Sequence, residues 1–167
     1  VVVTGPLVTT SIVTVDGNAS IVIMGPLVTT SGGSGGGTPG AAGSDNFSDA
    51  TVIPANCSPA TQSLINTGSN VGFTKEANET ATTAIHQKTV WFKFTAPSTT
   101  SYNIKTVGST FDTLLVVFSG TSLDTLVTLA SDDDSGGSAT SMLNVNLTSG
   151  QQYYIQVAGY NGASGNY

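Results

Sequence analysis

The chain has 167 residues and is sparingly charged, with four Lys and Arg against ten Asp and Glu and a net charge of −6. That balance argues against nucleic acid or an anionic membrane as partner, because both are held by basic patches. An apolar fraction of 38% arranged in short alternating runs argues against disorder, and the single cysteine, Cys57, rules out an internal disulfide. The apolar stretches are cut by Gly and Pro, so none reads as a membrane-inserted helix. The sequence starts at Val1 without a basic leader, and the expectation is a processed, exported chain.

Residues 1–31 contain one phrase twice. Gly5-Pro6-Leu7-Val8-Thr9-Thr10-Ser11 recurs as Gly25-Pro26-Leu27-Val28-Thr29-Thr30-Ser31 at an offset of 20. Val1, Val2 and Val3 precede the first copy as Ile21, Val22 and Ile23 precede the second. With Ile12, Val13 and Val15 between them, and Asp16 as the only ionisable side chain, the segment favours extended strands. Two arrangements are open. Asp16-Gly17-Asn18-Ala19 can turn a local hairpin between Ser11-Ile12-Val13-Thr14-Val15 and Ser20-Ile21-Val22-Ile23-Met24. Alternatively, the strands pair with another molecule. A sticky, uncharged segment needs a partner, and Pro6 and Pro26 interrupt a simple hairpin. The interface expected under the second arrangement comprises Val1, Val2, Val3, Leu7, Val8, Ile12, Val13, Val15, Ile21, Val22, Ile23, Leu27 and Val28.

Residues 32–43 form a Gly-rich flexible linker. It matches G-x-S-x-G and G-x-G-x-x-G by composition alone, since neither pattern lies between a strand and a helix. From residue 44 onward short strands follow one another. In Val90-Trp91-Phe92-Lys93-Phe94 the residues Val90, Phe92 and Phe94 share a face, with Trp91 on the other, as packing or as a platform for a sugar ring. Ser101-Tyr102-Asn103-Ile104-Lys105 puts Tyr102 and Ile104 inward. Residues 113–118 read as a strand buried on both faces, and 126–130 as a short apolar strand. Leu143-Asn144-Val145-Asn146-Leu147 alternates cleanly, and Tyr153-Tyr154-Ile155-Gln156-Val157 closes the series. No helical period competes with this pattern, so the fold class is an all-β sandwich with an extended N-terminal strand segment.

The carboxylates Asp112, Asp132, Asp133 and Asp134 form the one acidic cluster in Gly- and Ser-rich loops, and such a group suits Ca2+. Asp45, Asp49 and Glu76 are weaker candidate ligands. Asn18, Asn46, Asn56, Asn78 and Asn146 each begin an Asn-x-Ser/Thr acceptor for covalent glycans. Asn146 lies on the strand face opposite Leu143, Val145 and Leu147. His86 is the sole histidine, in a stretch read as an exposed loop, and no Ser-His or Cys-His pattern supports catalysis. The chain is not expected to be an enzyme.

Residues 45–167 resemble the bacterial pre-peptidase C-terminal domain family. The resemblance rests on Asp45-Asn46-Phe47-Ser48-Asp49-Ala50, Gly68-Ser69-Asn70-Val71-Gly72-Phe73-Thr74-Lys75-Glu76 and Val90-Trp91-Phe92-Lys93-Phe94-Thr95-Ala96-Pro97. It continues through Gly108-Ser109-Thr110-Phe111-Asp112-Thr113, Ser131-Asp132-Asp133 and Gly150-Gln151-Gln152-Tyr153-Tyr154-Ile155-Gln156-Val157-Ala158-Gly159-Tyr160. It implies a jelly-roll-like β-sandwich in a secreted, non-catalytic accessory module, of which some members bind calcium or matrix polymers. Family members run on past the position of Gly165-Asn166-Tyr167 into one more apolar strand. Either that strand lies beyond this sequence, or its absence leaves a groove that residues 1–31 can fill.

The expected domain plan is therefore a donor-strand segment at 1–31, a linker at 32–43 and a sandwich at 44–167. The expected function is that of a structural subunit of an extracellular bacterial filament, a helical head-to-tail homopolymer joined by strand donation. The alternative is a polymer-binding accessory module of a secreted hydrolase.

Overall fold

A computed structural model of the chain describes residues 19–23, 39–40, 42–54, 63–79 and 86–167. The described strands are β1 (Ala19–Ile23), β2 (Pro39–Gly40), β3 (Thr51–Ile53), β4 (Ser63–Asn66), β5 (His86–Thr95), β6 (Thr100–Lys105), β7 (Thr113–Ser119), β8 (Val127–Asp132), β9 (Met142–Leu147) and β10 (Gln152–Tyr160). They form two five-stranded sheets, in the orders β2-β4-β1-β6-β9 and β3-β5-β10-β7-β8. Short turns of 3-10 helix at Phe47–Asp49 and Leu123–Thr125 are the only helical pieces among the described residues. The all-β sandwich expected from the alternation is the fold observed.

Strand period decides what is buried. Val90, Phe92 and Phe94 of β5 point between the sheets with Leu115, Val117, Ile155 and Val157, and meet Tyr102, Ile104, Leu143, Val145 and Leu147 from the facing sheet. The polar residues between them in β9, Asn144 and Asn146, are exposed. β7 is buried on both faces, as its unbroken apolar run requires, because its outer face packs into a second cluster. That cluster joins Trp91, Leu114, Val116, Phe118, Tyr154 and Ala158 under Phe47, Leu123 and Leu126. Trp91 is only 1% exposed and packs edge-on to Phe47 at 5.2 Å, so it is no platform for sugar. β8, also read as apolar, is an edge strand that leaves Val127 and Leu129 exposed. His86 opens β5 and does not lie in a loop.

Three hydroxyls lock the ends of β6, β7 and β9 together. The fully buried Thr106, Thr113 and Ser141 hydrogen-bond in a chain, with Oγ–Oγ distances of 2.6 and 3.0 Å, and the Ser141 hydroxyl donates to the Thr113 carbonyl at 2.7 Å. Each of these three hydroxyls thereby finds a partner, without which the cost would be about 1–3 kcal/mol per group. At the N-terminal side the sandwich begins before residue 44. Pro39–Gly40 pair with β4, and a side chain at Gly43 would run into Val90 and Phe92.

Candidate functional site

The feature of this sandwich that invites a function is a slot between β4 and β6. β4 and β6 are not bonded to one another; β1 lies between them and is parallel to both. Ser20, Ile21, Val22 and Ile23 pair with Ser63, Leu64, Ile65 and Asn66 on one side. Ala19, Ser20, Ile21 and Val22 pair with Tyr102, Asn103, Ile104 and Lys105 on the other. Both edges of β1 are therefore taken, which corrects the hairpin arrangement: no edge of this strand remains for residues 11–15. Of the expected interface residues, Ile21, Val22 and Ile23 occupy the slot. Val1, Val2, Val3, Leu7, Val8, Ile12, Val13, Val15, Leu27 and Val28 lie outside the described residues.

The far end of the same slot holds residues 165–167, running the opposite way. On the β4 side, Gly68 and Tyr167 exchange backbone hydrogen bonds at 3.0 and 3.1 Å, and Ser69 bridges Asn166 antiparallel. On the β6 side, the Thr110 amide donates to the Asn166 carbonyl at 2.9 Å, and the Asn166 amide donates to the Thr110 hydroxyl at 2.9 Å. The Tyr167 ring drops into the core, edge-on to Phe92 at 6.1 Å, and its hydroxyl accepts from the Gly43 amide at 2.9 Å. Burial pushes its phenol up to about 12. A parallel strand enters this slot from one end, and an antiparallel segment enters it from the other.

A second group of residues is acidic. Carboxylate oxygens of Asp112, Asp133 and Asp134 lie within 4.8 Å of one another, beside the β8–β9 loop. Asp132 does not join them. Its Oδ2 accepts from the amides of Ser135 at 3.0 Å and Met142 at 2.8 Å, pinning the loop that carries its two neighbours. Asp45 and Glu76 are likewise committed elsewhere: Asp45 accepts from the Thr74 amide at 2.7 Å, and Glu76 from the Phe47 amide at 2.6 Å. The glycan acceptors Asn46, Asn78 and Asn146 are exposed, and Asn18 and Asn56 lie outside the described residues, as does Cys57.

Glu79 was invisible in the sequence, where it sits in a polar run with no apolar period. Its carboxylate is 5% exposed and accepts from Thr89 Oγ1 at 2.9 Å, Trp91 Nε1 at 3.2 Å and Gln156 Nε2 at 3.0 Å, as well as the Glu76 amide at 3.1 Å. Desolvation raises its pKa above the ordinary 4.5, with a smaller push from the charge of Glu76, against the lowering effect of these hydrogen bonds. The folded chain thus holds a proton to higher pH than the unfolded one, and stability falls as pH rises through the window above 4.5. Glu79→Gln is expected to remove that slope and to match or exceed the parent at neutral pH in thermal melts. Glu79→Ala strands the Trp91 and Gln156 donors, while Thr89 Oγ1 keeps the Thr74 carbonyl as acceptor, and is expected to cost about 2–4 kcal/mol. A glutamine variant that is as damaged as the alanine variant would show that the charge itself is required.

Residues 88–159 fit the family model of the bacterial pre-peptidase C-terminal domain. This span runs from β5 into β10 and is narrower than the resemblance over 45–167. Such domains are non-catalytic and occur in secreted proteins, typically proteases. No curated protein and no solved structure matches the chain. β1, β4 and residues 165–167, which line or fill the slot, all fall outside the matched span.

Proposed function

We propose that this chain is the structural subunit of an extracellular bacterial filament, in which the N-terminal segment of one copy completes the sandwich of the next. The observation that carries the proposal is the place of β1: an interior strand supplied from residues 19–23, far in sequence from both strands it joins. A slot at one end of a subunit and a strand at the other make a heterologous contact, which propagates unless its rotation closes a ring. Main-chain ladders supply affinity in such a joint, and the alternation of side chains sets register. Exposed Asn46, Asn78 and Asn146 would carry glycans on the outside of the fibre. Electron microscopy of the full chain beside a version lacking residues 1–31 tests the reading. Fibres that vanish on truncation support it, and fibres that persist contradict it.

Ca2+ is the cation we propose for Asp112, Asp133 and Asp134, since three carboxylates this close favour a hard ion with oxygen ligands. The expected result is a melting temperature lowered by EDTA and restored by Ca2+, with Asp133→Asn abolishing the response. Identical melts with and without chelator would contradict it.

The matched family favours a second reading, an accessory module of a secreted hydrolase. With Trp91 buried, a polymer would have to be held elsewhere, for instance in the groove of Phe73, Thr74, Lys75, Glu76, Gln87 and Lys88. Binding of insoluble polysaccharide or collagen by dispersed, fibre-free subunits would favour it.

A further inference from the structure

Strand polarity and tether length together say how such a joint would form. β1 is parallel to β4 and β6, while residues 165–167 occupy the same slot antiparallel to the continuation of β4. A strand entering in line behind Tyr167 would be antiparallel to both walls, and antiparallel ladders are the more stable per residue. β1 therefore fills the slot in its less favourable direction. The connection from β1 to β2 is also far longer than this arrangement needs. Ile23 and Gly40 both pair with Asn66, from opposite sides, so the connection has only to cross one strand, about 10 Å or two inter-strand spacings. Residues 24–38 comprise 15 residues, with a reach of about 50 Å when extended. That reach exceeds the diameter of a domain this size, roughly 35 Å.

Resting on the filament reading, we infer that β1 is a self-capping strand, exchanged on assembly for the same segment of a second copy, which enters the slot antiparallel. The dilute subunit is a closed monomer, because the 15-residue tether still holds its own strand at an effective concentration on the order of millimolar. Crowding of subunits, together with the better polarity of the incoming strand, drives the exchange. The excess tether lets the displaced strand reach its neighbour. The sequence repeat adds a second strand of the same kind, since Val1-Val2-Val3 stands to the first copy as Ile21-Val22-Ile23 stands to the second.

The test uses the full chain with Cys57→Ser, Ser20→Cys and Asn103→Cys, positions 20 and 103 being neighbours across the β1–β6 pair. A short bis-maleimide is applied to dilute subunits and to fibres. The expected result is cross-links within one chain in the dilute sample, which also reports that the variant folds, and loss of those links in the fibres, where an antiparallel strand no longer sets position 20 beside position 103. Fibres whose links stay within single chains overturn the exchange, although donation by residues 1–18 would still satisfy the filament reading. A chain that forms no fibres at any concentration overturns both. A second variant lacking residues 32–37 keeps nine tether residues, reaching about 30 Å, enough for self-capping and too short to cross to a neighbour. It is expected to remain monomeric with within-chain links, and undiminished fibre yield from it overturns the exchange.

Discussion

Removing residues 1–31 is expected to abolish assembly and to lower the melting temperature of the remaining sandwich by about 6–12 °C. The deletion empties an interior strand position and leaves β4 and β6 with facing rows of unpaired backbone groups. Each ladder bond contributes a net ~1 kcal/mol, and β1 is bonded along both edges, so the loss is roughly 3 kcal/mol or more. That is a large part of the 5–15 kcal/mol typical of a domain, and ~1 kcal/mol moves the melting temperature of a chain this size by about 2–4 °C. A truncated protein that melts with the parent would show that β1 contributes nothing to the fold.

Tyr167→Ala is expected to be as damaging. The side chain is fully buried, packs edge-on to Phe92, and ties the Gly43 amide to the far end of the slot. Truncation of a buried aromatic costs about 3–5 kcal/mol. Tyr167→Phe keeps the packing and strands one buried amide, for about 1–3 kcal/mol. The two variants separate packing from hydrogen bonding in denaturant titrations. The phenol raised to about 12 adds a pH signature, because the parent loses stability between pH 10 and 12 and the phenylalanine variant lacks that loss. If the alanine variant unfolds at the parental midpoint, residues 165–167 do not close the slot.

What the sequence disclosed follows the range of its signals. Alternation is local, so β5, β6, β9 and β10 and their inward faces could be read directly from Phe92, Tyr102, Val145 and Ile155. The unbroken run of β7 was equally plain, because burial on both faces removes polar positions. The slot was only half legible. The repeat marked residues 1–31 as strands in need of partners, but the walls are set by parallel pairing with Ser63–Asn66 and Thr100–Lys105, at separations that periodicity cannot report. Asp16-Gly17 favours a hairpin locally, and the tertiary pairing of β1 on both edges overrides that preference. In the acidic run, adjacency in sequence suggested one group of three, and the family resemblance joined Asp112 to it. The loop divides it, turning Asp132 to backbone amides while Asp133 and Asp134 meet Asp112. Glu79 gave no signal because its donors come from Thr89, Trp91 and Gln156 on two other strands.

For the proposed joint to form, the gap between β4 and β6 has to accept a strand that is not covalently its own. The most direct test adds a synthetic peptide of residues 11–31 to the protein lacking residues 1–31, followed by thermal melting and fluorescence anisotropy. The expected result is saturable one-to-one binding that restores most of the lost melting temperature, and no binding by the same peptide carrying Ile21→Asp, because the register sets position 21 beside the fully buried Ile104, where a charge would stand unpaired. A truncated protein that ignores the peptide, or that takes the Ile21→Asp peptide equally well, would overturn strand donation into this slot.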